Sequence, residues 1–264
     1  MIRVFSLKYV SSKGKGNCIQ RDREEHLAIF LRHIHPFLIK QQLEYGIYVI
    51  EQLGNRDFNK GILYNAVFLE VQGLSPAGWD CYVFQDIDLL PLDLRNLYSC
   101  PINPRHMSVA VDSLENRLMY RNMFGGVTIL SAAQFLEVNG YSNMYWGWGG
   151  EDDDMSKRLR HRGYIISRTN ASIARYTMLP HKRRRPNPNR IRILRQAINN
   201  YLHDGLSNVK YDLVDIVRHH LYTLIQVDVD RYANDTFIVE STTVLPNVTK
   251  NVTKNTTTIS TTSS

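Results

Sequence analysis

Residues 146–154 read WGWGGEDDD, so two tryptophans alternate with glycines and lead directly into four consecutive acids. Glycine lets the backbone approach a ligand closely, and tryptophan offers a flat apolar face on which a sugar ring can stack. A carboxylate beside that face can take a proton from a sugar hydroxyl. The structural alternative is an acidic helix N-terminus with the tryptophans in the core. The combination of residue types favours a carbohydrate-modifying site.

Composition narrows the classes of protein to which the chain can belong. Its 264 residues are enough for one large domain or two small ones. Of these residues 43% are hydrophobic, which is enough to form a substantial core. Its formal charge is +7, and the densest basic cluster is KRRR at 182–185. A short basic run is usually solvated, and the chain has no nucleic-acid-binding motif. We therefore expect no nucleic acid and, instead, an anionic small molecule such as a nucleotide diphosphate.

Cysteines and glycosylation sequons indicate the compartment. Three cysteines are too few for a disulfide scaffold and too irregularly spaced for a zinc site, although Cys81 and Cys100 can pair in an oxidising compartment. The sequence contains no run of about 20 apolar residues, so no transmembrane helix is predicted. Residues 1–10 are too short and too poor in apolar residues for a signal peptide. The sequons begin at Asn170, Asn234, Asn247, Asn251 and Asn255. Together they favour the secretory pathway.

The order of predicted elements indicates a three-layer α/β domain. Helices are predicted at 24–38, 59–71, 131–138, 151–162 and 189–203, and strands at 47–50, 81–84, 107–111, 127–130, 173–178 and 221–229. Pro36 is expected to bend or end the first helix. Residues 1–20 lack a strong strand pattern, and the Asn/Thr/Ser-rich tail at 246–264 is predicted to be disordered.

Acidic and imidazole side chains follow two predicted strands. Asp86 and Asp88 come just after a buried strand, where they can share a divalent ion with a diphosphate, although two such acids also occur by chance in surface turns. His181 can complete that site with Asp88, or it is a plain surface residue. At the start of the first helix, Arg21 and Arg23 suit phosphate or uracil contacts, or form an ordinary charged cap.

Several motifs in fixed order resemble the β-1,4-galactosyltransferase family. They are FQDIDLLP at 84–91, FGGV at 124–127, NGY at 139–141, WGWGGEDDD at 146–154, Met178 with His181, and PNPNR at 186–190. Order and spacing hold from about Arg21 to Val229. The resemblance implies a GT-A-type nucleotide-sugar transferase fold with a mixed central sheet flanked by helices. It also implies Mn²⁺, a UDP-sugar donor and an acceptor that ends in GlcNAc. Members that act on linker xylose are less similar, since they carry arginine in place of Gly150.

The resemblance also assigns roles by position. Asp152 matches the catalytic base, and Glu151 and Asp153 line the same pocket. Asp88, Met178 and His181 match the metal ligands. The remaining matched positions are Arg21, Arg23, Phe58, Asp86, Met123 and Trp148 on the donor side, Tyr120, Gly126 and Arg190 on the acceptor side, and a disulfide between Cys81 and Cys100. Trp148 matches a tryptophan on a small mobile loop that closes over both substrates.

The chain departs from the family pattern in three places. Residues 16–20 read GNCIQ where the family has a hydrophobic strand, so we expect the first central strand to be missing or poor. A truncated or mis-assembled segment at 1–20 would explain this and the absence of stem and anchor. The loop at 182–192 is unusually basic. Met123 replaces the tyrosine of vertebrate galactosyl enzymes, and smaller residues there resemble the invertebrate N-acetylgalactosaminyltransferases.

These observations predict an enzyme. A catalytic domain at 21–245 would transfer galactose or N-acetylgalactosamine, with inversion, from UDP-Gal or UDP-GalNAc to the 4-hydroxyl of a terminal GlcNAc on glycoprotein or glycolipid glycans. The full-length form would be a type II membrane protein of the Golgi lumen, attached only through an anchor absent from this chain. The alternatives are a non-catalytic sugar-binding relative, the product of a defective gene model, or a metal-dependent phosphohydrolase, which leaves the aromatic–glycine block unexplained.

Overall fold

The computed structural model describes residues 3–11, 20–75, 77–181 and 185–232, and only the backbone of 3–11 and 20–23. In chain order the strands and helices are β1 (Arg3–Ser11), α1 (Gln20–Lys40), β2 (Glu44–Leu53), α2 (Lys60–Leu74), β3 (Cys81–Gln85), β4 (Leu89–Pro91), β5 (Arg105–His106), β6 (Ala110–Val111), β7 (Val127–Ser131), α3 (Ala132–Glu137), α4 (Glu151–His161), β8 (Arg175–Met178), α5 (Arg190–Asn200), β9 (Asp212–Arg218) and β10 (Thr223–Asp228).

A mixed seven-stranded sheet forms the centre, in the order β5-β7-β3-β1-β2-β10-β9. Strands β3, β1, β2 and β10 are parallel, and β7 and β9 run antiparallel to their neighbours. A second sheet has the order β4-β8-β6. The mixed sheet flanked by helices is the architecture that the sequence predicted.

The expectation that the first strand is missing or poor is wrong. Strand β1 pairs in parallel with β2 over all nine of its residues and with β3 over five. Its sequence, RVFSLKYVS, is rich in the β-branched and aromatic residues that strands favour. Two parallel neighbours hold it at the centre of the sheet, and such pairing is not visible in a local pattern. Residues 12–19, with Cys18, lie outside the described residues.

Hydrophobic cores lie on both faces of the central sheet. Cys81 and Val83 of β3 join the cluster that contains Phe30 and Ile34 of α1. Tyr82 and Phe84 alternate with them and join the cluster that contains Leu63 and Val67 of α2, together with residues of α3 and α4. Because successive side chains of a strand point to opposite faces, β3 is covered on both sides. This confirms the three-layer prediction.

Three local expectations need correction. Pro36 does not end helix α1, which continues to Lys40, because the flanking Phe37 and Leu38 are buried and tertiary packing outweighs the lost hydrogen bond. The strand predicted at 107–111 is instead two short strands, β5 and β6. Strand β9 was not predicted, because it is a largely exposed edge strand whose acids obscure any alternation.

Other expectations are confirmed. Ser131 and Gln134 form the predicted capping box at the start of α3. Cys81 and Cys100 are disulfide-bonded. No helix in the described part of the chain is long and apolar enough to cross a membrane. The tail at 246–264 lies outside the described residues, and the domain limits at 21 and 245 stay predictions.

Candidate active site

The link from β3 to β4 carries the two acids of the D-x-D motif. The Asp86 amide donates to the Gly126 carbonyl at 2.9 Å, and the Leu89 amide donates to the Asp86 carbonyl at 3.1 Å. This turn fixes Asp86 and Asp88 beyond the carboxyl end of a central strand, where open α/β sheets bind their ligands.

The second sheet brings together the three candidate metal ligands. Leu89 of β4 lies opposite Met178 of β8, and the Leu179 amide donates to the Asp88 carbonyl at 2.7 Å. His181 Nδ1 is 2.9 Å from Asp88 Oδ2. The described ranges contain no group of three or more His, Cys, Asp or Glu side chains arranged to hold a metal ion, and the candidate set here is a carboxylate, an imidazole and a thioether. The first two are common ligands of divalent ions.

Helix α4 supplies the acidic cluster. Gly150 precedes it with φ of 104°, a left-handed conformation that glycine adopts without strain, and four acids fill its first turn. Carboxylates are stabilised there by the positive end of the helix dipole. Asp152 lies against Gly125, because a Cβ on that glycine would be 2.6 Å from Asp152 Oδ2. Helix α4 and the loop between β6 and β7 therefore meet at this carboxylate.

Lys60, at the start of α2, joins the acids of two elements, and the sequence reasoning missed it. Its Nζ is 3.2 Å from Asp152 Oδ1, 3.2 Å from Asp86 Oδ1 and 3.7 Å from Glu151 Oε1. A single lysine at a helix start reads as an ordinary solvated residue. The available signal was Asn59, which caps α2 and fixes where Lys60 begins the helix.

Three carboxylates around one ammonium shift the pKa values of the cluster. Burial raises the pKa of Asp152 to about 8; Lys60 opposes this rise, and Glu151 and Asp86 add to it. Burial alone would lower the pKa of Lys60, but Asp152 and then Asp86 raise it well above its usual value. The lysine therefore stays charged, and the surplus of negative charge favours a proton on one carboxylate. Asp152 is thus poised to exchange a proton near neutral pH.

The glycine-rich turn that precedes α4 positions Trp148. The Gly147 amide donates to the Phe58 carbonyl at 2.7 Å, and the Asn187 amide donates to the Trp148 carbonyl at 2.9 Å. The Trp148 side chain is 54% exposed, so its ring is available to a ligand. Arg190 packs beside the same turn, with its Cδ 3.3 Å from a Cβ built on Gly149.

The loop of residues 120–126 contacts the acidic cluster of α4. The Tyr120 hydroxyl donates to Asp153 Oδ1 at 2.8 Å, and burial followed by this contact raises its pKa. The Met123 amide donates to the Tyr120 carbonyl at 3.1 Å, and Gly126 has φ of 79°. The described contacts bring Asp86, Glu151 and Asp152 together around Lys60, and Tyr120 joins this cluster through Asp153. The side chains of Arg21 and Arg23, in the first turn of α1, lie outside the described residues.

Comparison with known proteins places this site in a family. The family profile described as the N-terminal region of glycosyl transferase group 7 matches residues 18–101. A second, described as the N-terminal domain of galactosyltransferase, matches residues 105–182, so the two together match more than half of the chain. The chain belongs to the β-1,4-galactosyltransferase family. It is 47% identical over 212 residues to β-1,4-galactosyltransferase 1 of Mus musculus. The aligned residues cover 79% of this chain and 53% of that protein.

Other family members agree with this assignment. β-1,4-Galactosyltransferase 4 of Cricetulus griseus is 46% identical over 211 residues, 79% of this chain and 61% of its own length. The chain thus spans between half and two thirds of such relatives. The catalytic domain of Drosophila β-1,4-galactosyltransferase 7, solved with xylobiose, superposes with a TM-score of 0.70 at 25% identity, covering 88% of this chain and 97% of that one. A mutant of it with manganese, UDP-Gal and xylobiose matches equally, at 26% identity. The GT-A fold is therefore shown.

Proposed function

We propose that the chain is the catalytic domain of an inverting β-1,4-hexosyltransferase. It would transfer galactose or N-acetylgalactosamine from a UDP-sugar to the 4-hydroxyl of a terminal GlcNAc on glycoprotein or glycolipid glycans. Family membership and the UDP-Gal complex of a structural relative support this. The observation that carries it is the position of Asp152, which is bound to Lys60 and lies against Gly125 of the 120–126 loop.

In this mechanism Asp152 is the general base. It removes the proton from the acceptor 4-hydroxyl as that oxygen attacks the anomeric carbon of the donor. The bond to the diphosphate breaks with its electron pair on UDP, so one displacement converts an α donor into a β product. A base works best when its pKa is near the working pH, and the raised pKa of Asp152 meets this condition.

Mn²⁺ is the proposed cofactor, with Asp88, His181 and Met178 as the residues that would hold it. The fit rests on the 2.9 Å approach of Asp88 Oδ2 and His181 Nδ1 and on the pairing of Met178 with Leu89, the residue that follows Asp88. A bound divalent ion stabilises negative charge on a leaving diphosphate. The chain's own contribution there is the β4–β8 pairing, which fixes the carboxylate and the imidazole side by side.

Gly150 and Glu151 bear on the choice of a GlcNAc acceptor. Gly150 packs tightly against Tyr145, because a Cβ there would be 2.4 Å from Tyr145 Cε1, so this turn has no room for a larger side chain. The xylose-specific members, which carry arginine at this position, must arrange it differently. Glu151 Oε2 is buried and has no hydrogen-bond partner among the described residues, so it is available to a hydroxyl or amide of the acceptor.

The donor proposal rests on Met123. Tyrosine at this position would be rigid, whereas methionine is flexible and can retreat from the acetamide of N-acetylgalactosamine. Galactose also fits the enlarged pocket. We therefore propose that both UDP-Gal and UDP-GalNAc are used.

The proposed location is the Golgi lumen, as a type II membrane protein in the full-length form. The Cys81–Cys100 disulfide suits an oxidising compartment. Asn170, the first residue of a sequon, is exposed on a turn where a glycan can be accommodated.

Product analysis tests the proposed function. The protein is incubated with Mn²⁺, UDP-Gal or UDP-GalNAc, and a GlcNAc-terminated oligosaccharide, and the product linkage is determined by NMR. A β-1,4-linked hexose supports the proposal. Acceptor binding without transfer would indicate a sugar-binding relative, and phosphate release that needs no acceptor would indicate a phosphohydrolase.

A further inference from the structure

The 120–126 loop contains Tyr120, Met123 and Gly126, which the family resemblance places beside the donor and acceptor sugars. It lies between β6 and β7 and contains no helix or strand. Its conformation depends on hydrogen bonds that side chains from elsewhere donate to its carbonyl groups. Those side chains determine where Met123 is held.

Arg168 makes the largest share of these bonds. Its Nη2 donates to the Arg121 carbonyl at 3.0 Å and to the Met123 carbonyl at 2.7 Å. Its Nε donates to His106 Nδ1 at 3.2 Å. Arg168 is itself fixed at the edge of the sheet, because the His106 amide donates to the carbonyl of the preceding residue, Ser167, at 3.0 Å.

His106 extends this chain of contacts to the next part of the loop. Its ring is fully buried, and its Nε2 is 3.0 Å from the Gly125 carbonyl. Burial and then Arg168 lower its pKa to about 3, so the imidazole is neutral at physiological pH. With one proton, the ring can donate from Nε2 to Gly125 while Nδ1 accepts from Arg168. Both contacts are thus satisfied by the same tautomer of His106, and the Ser108 hydroxyl also donates to the Gly125 carbonyl at 3.1 Å.

The same loop is joined to the acidic helix. The Ser156 hydroxyl of α4 donates to the Asn122 carbonyl at 2.7 Å, and Gly125 lies directly against Asp152. A displacement of the loop would therefore move the Met123 side chain relative to the base. The donor pocket and the base share one support.

We propose that Arg168 and His106 form a loop clamp that sets donor specificity by holding the Met123 backbone at a fixed distance from Asp152. This inference rests on the proposed function, and it adds two positioning residues to it. The clamp requires the planar guanidinium fork, because one group must serve two carbonyls and an imidazole at once. A lysine ammonium cannot reproduce that geometry.

Two measurements on Arg168→Met, Arg168→Lys and the surface control Arg162→Met test the clamp. The first is amide hydrogen exchange of residues 120–127. We expect at least about tenfold faster exchange in Arg168→Met, an intermediate change in Arg168→Lys, and no change in Arg162→Met, whose wild-type side chain pairs with exposed Glu137. Arg168→Lys keeps the charge and the stem, so it provides the result if the methionine variant does not fold.

The second measurement is a double-mutant cycle with Met123→Tyr, read as the ratio of kcat/KM for UDP-Gal to that for UDP-GalNAc. Removing the clamp should shrink the change that Met123→Tyr causes by about fivefold or more, whereas a residue that only stabilises the fold would leave that change intact. Unchanged exchange would overturn the clamp. Faster exchange with independent effects on the donor ratio would overturn its role in specificity. Absence of transfer by the wild-type protein would instead overturn the proposed function, and the specificity role with it.

Discussion

Replacing Lys60 with methionine removes a cation that Asp152, Asp86 and Glu151 share. The Lys60 Nζ to Asp152 Oδ1 distance is 3.2 Å. Coulomb's law at that distance gives about 1.3 kcal/mol in a water-like dielectric and about 5 kcal/mol at an effective dielectric constant of ~20. One pKa unit corresponds to about 1.4 kcal/mol. Even the smaller figure therefore predicts that the pKa of Asp152 rises by about one unit.

The direction of the effect on rate follows from the role of Asp152. A general base must be deprotonated, so kcat/KM of the wild type should rise with pH toward a plateau above about pH 8, the raised pKa of Asp152. Without the lysine charge, which lowers that pKa, the rising limb should move at least about one unit to higher pH. Below the limb, the rate should fall about tenfold at any given pH.

The assay is the pH dependence of kcat/KM at saturating Mn²⁺, with UDP-Gal and a GlcNAc-terminated acceptor. Lys40→Met is the matched control, because Lys40 is exposed at the end of α1. Its profile should match that of the wild type. If the limb of Lys60→Met stays within about 0.3 unit of the wild-type limb while activity is retained, the reasoning about the shared charge is refuted.

Three further predictions concern the metal, the donor and the compartment. His181→Ala should raise the Mn²⁺ concentration needed for half-maximal activity about tenfold or more, with a smaller change in acceptor KM; an unchanged half-saturating concentration would make His181 only a surface residue. Met123→Tyr should shift the kcat/KM ratio toward UDP-Gal by about tenfold when the two donors compete, and an unmoved ratio would remove Met123 from the donor pocket. Expression through a secretory pathway should give a glycan at Asn170 that peptide N-glycosidase removes, and identical gel mobility of Asn170→Gln and wild type would contradict this.

The sequence predicts much of this fold because its periodic segments agree with their tertiary surroundings. The apolar run in β3 and the apolar face of α2 each indicated the correct element. The prediction for strand β1 failed because the strand is stabilised by pairing with β2 and β3 on its two sides. A short stretch of sequence does not show such pairing. Strand β9 was missed for a related reason: it is a largely exposed edge strand, so its sequence carries no alternating apolar pattern.

The site was predictable as a set of motifs and less so as a network. The acids of α4 and the ligand set around Asp88 were visible from residue type and from a resemblance. Lys60, His106 and Arg168 were not, because each is an ordinary polar residue until the fold places it 3.2 Å or less from a group far away in the sequence. Contacts of that kind arise from topology.

The most direct test of the central claim is the turnover of Asp152→Asn with UDP-Gal, Mn²⁺ and a GlcNAc-terminated acceptor, with UDP binding measured on the same preparation by calorimetry. Asp215→Asn, on the exposed edge strand β9, is the matched control. We predict that kcat falls by a factor on the order of 10²–10⁴ in Asp152→Asn while its UDP affinity and the activity of the control stay unchanged. An Asp152→Asn enzyme that keeps more than about a tenth of the wild-type kcat would contradict the assignment of Asp152 as the base.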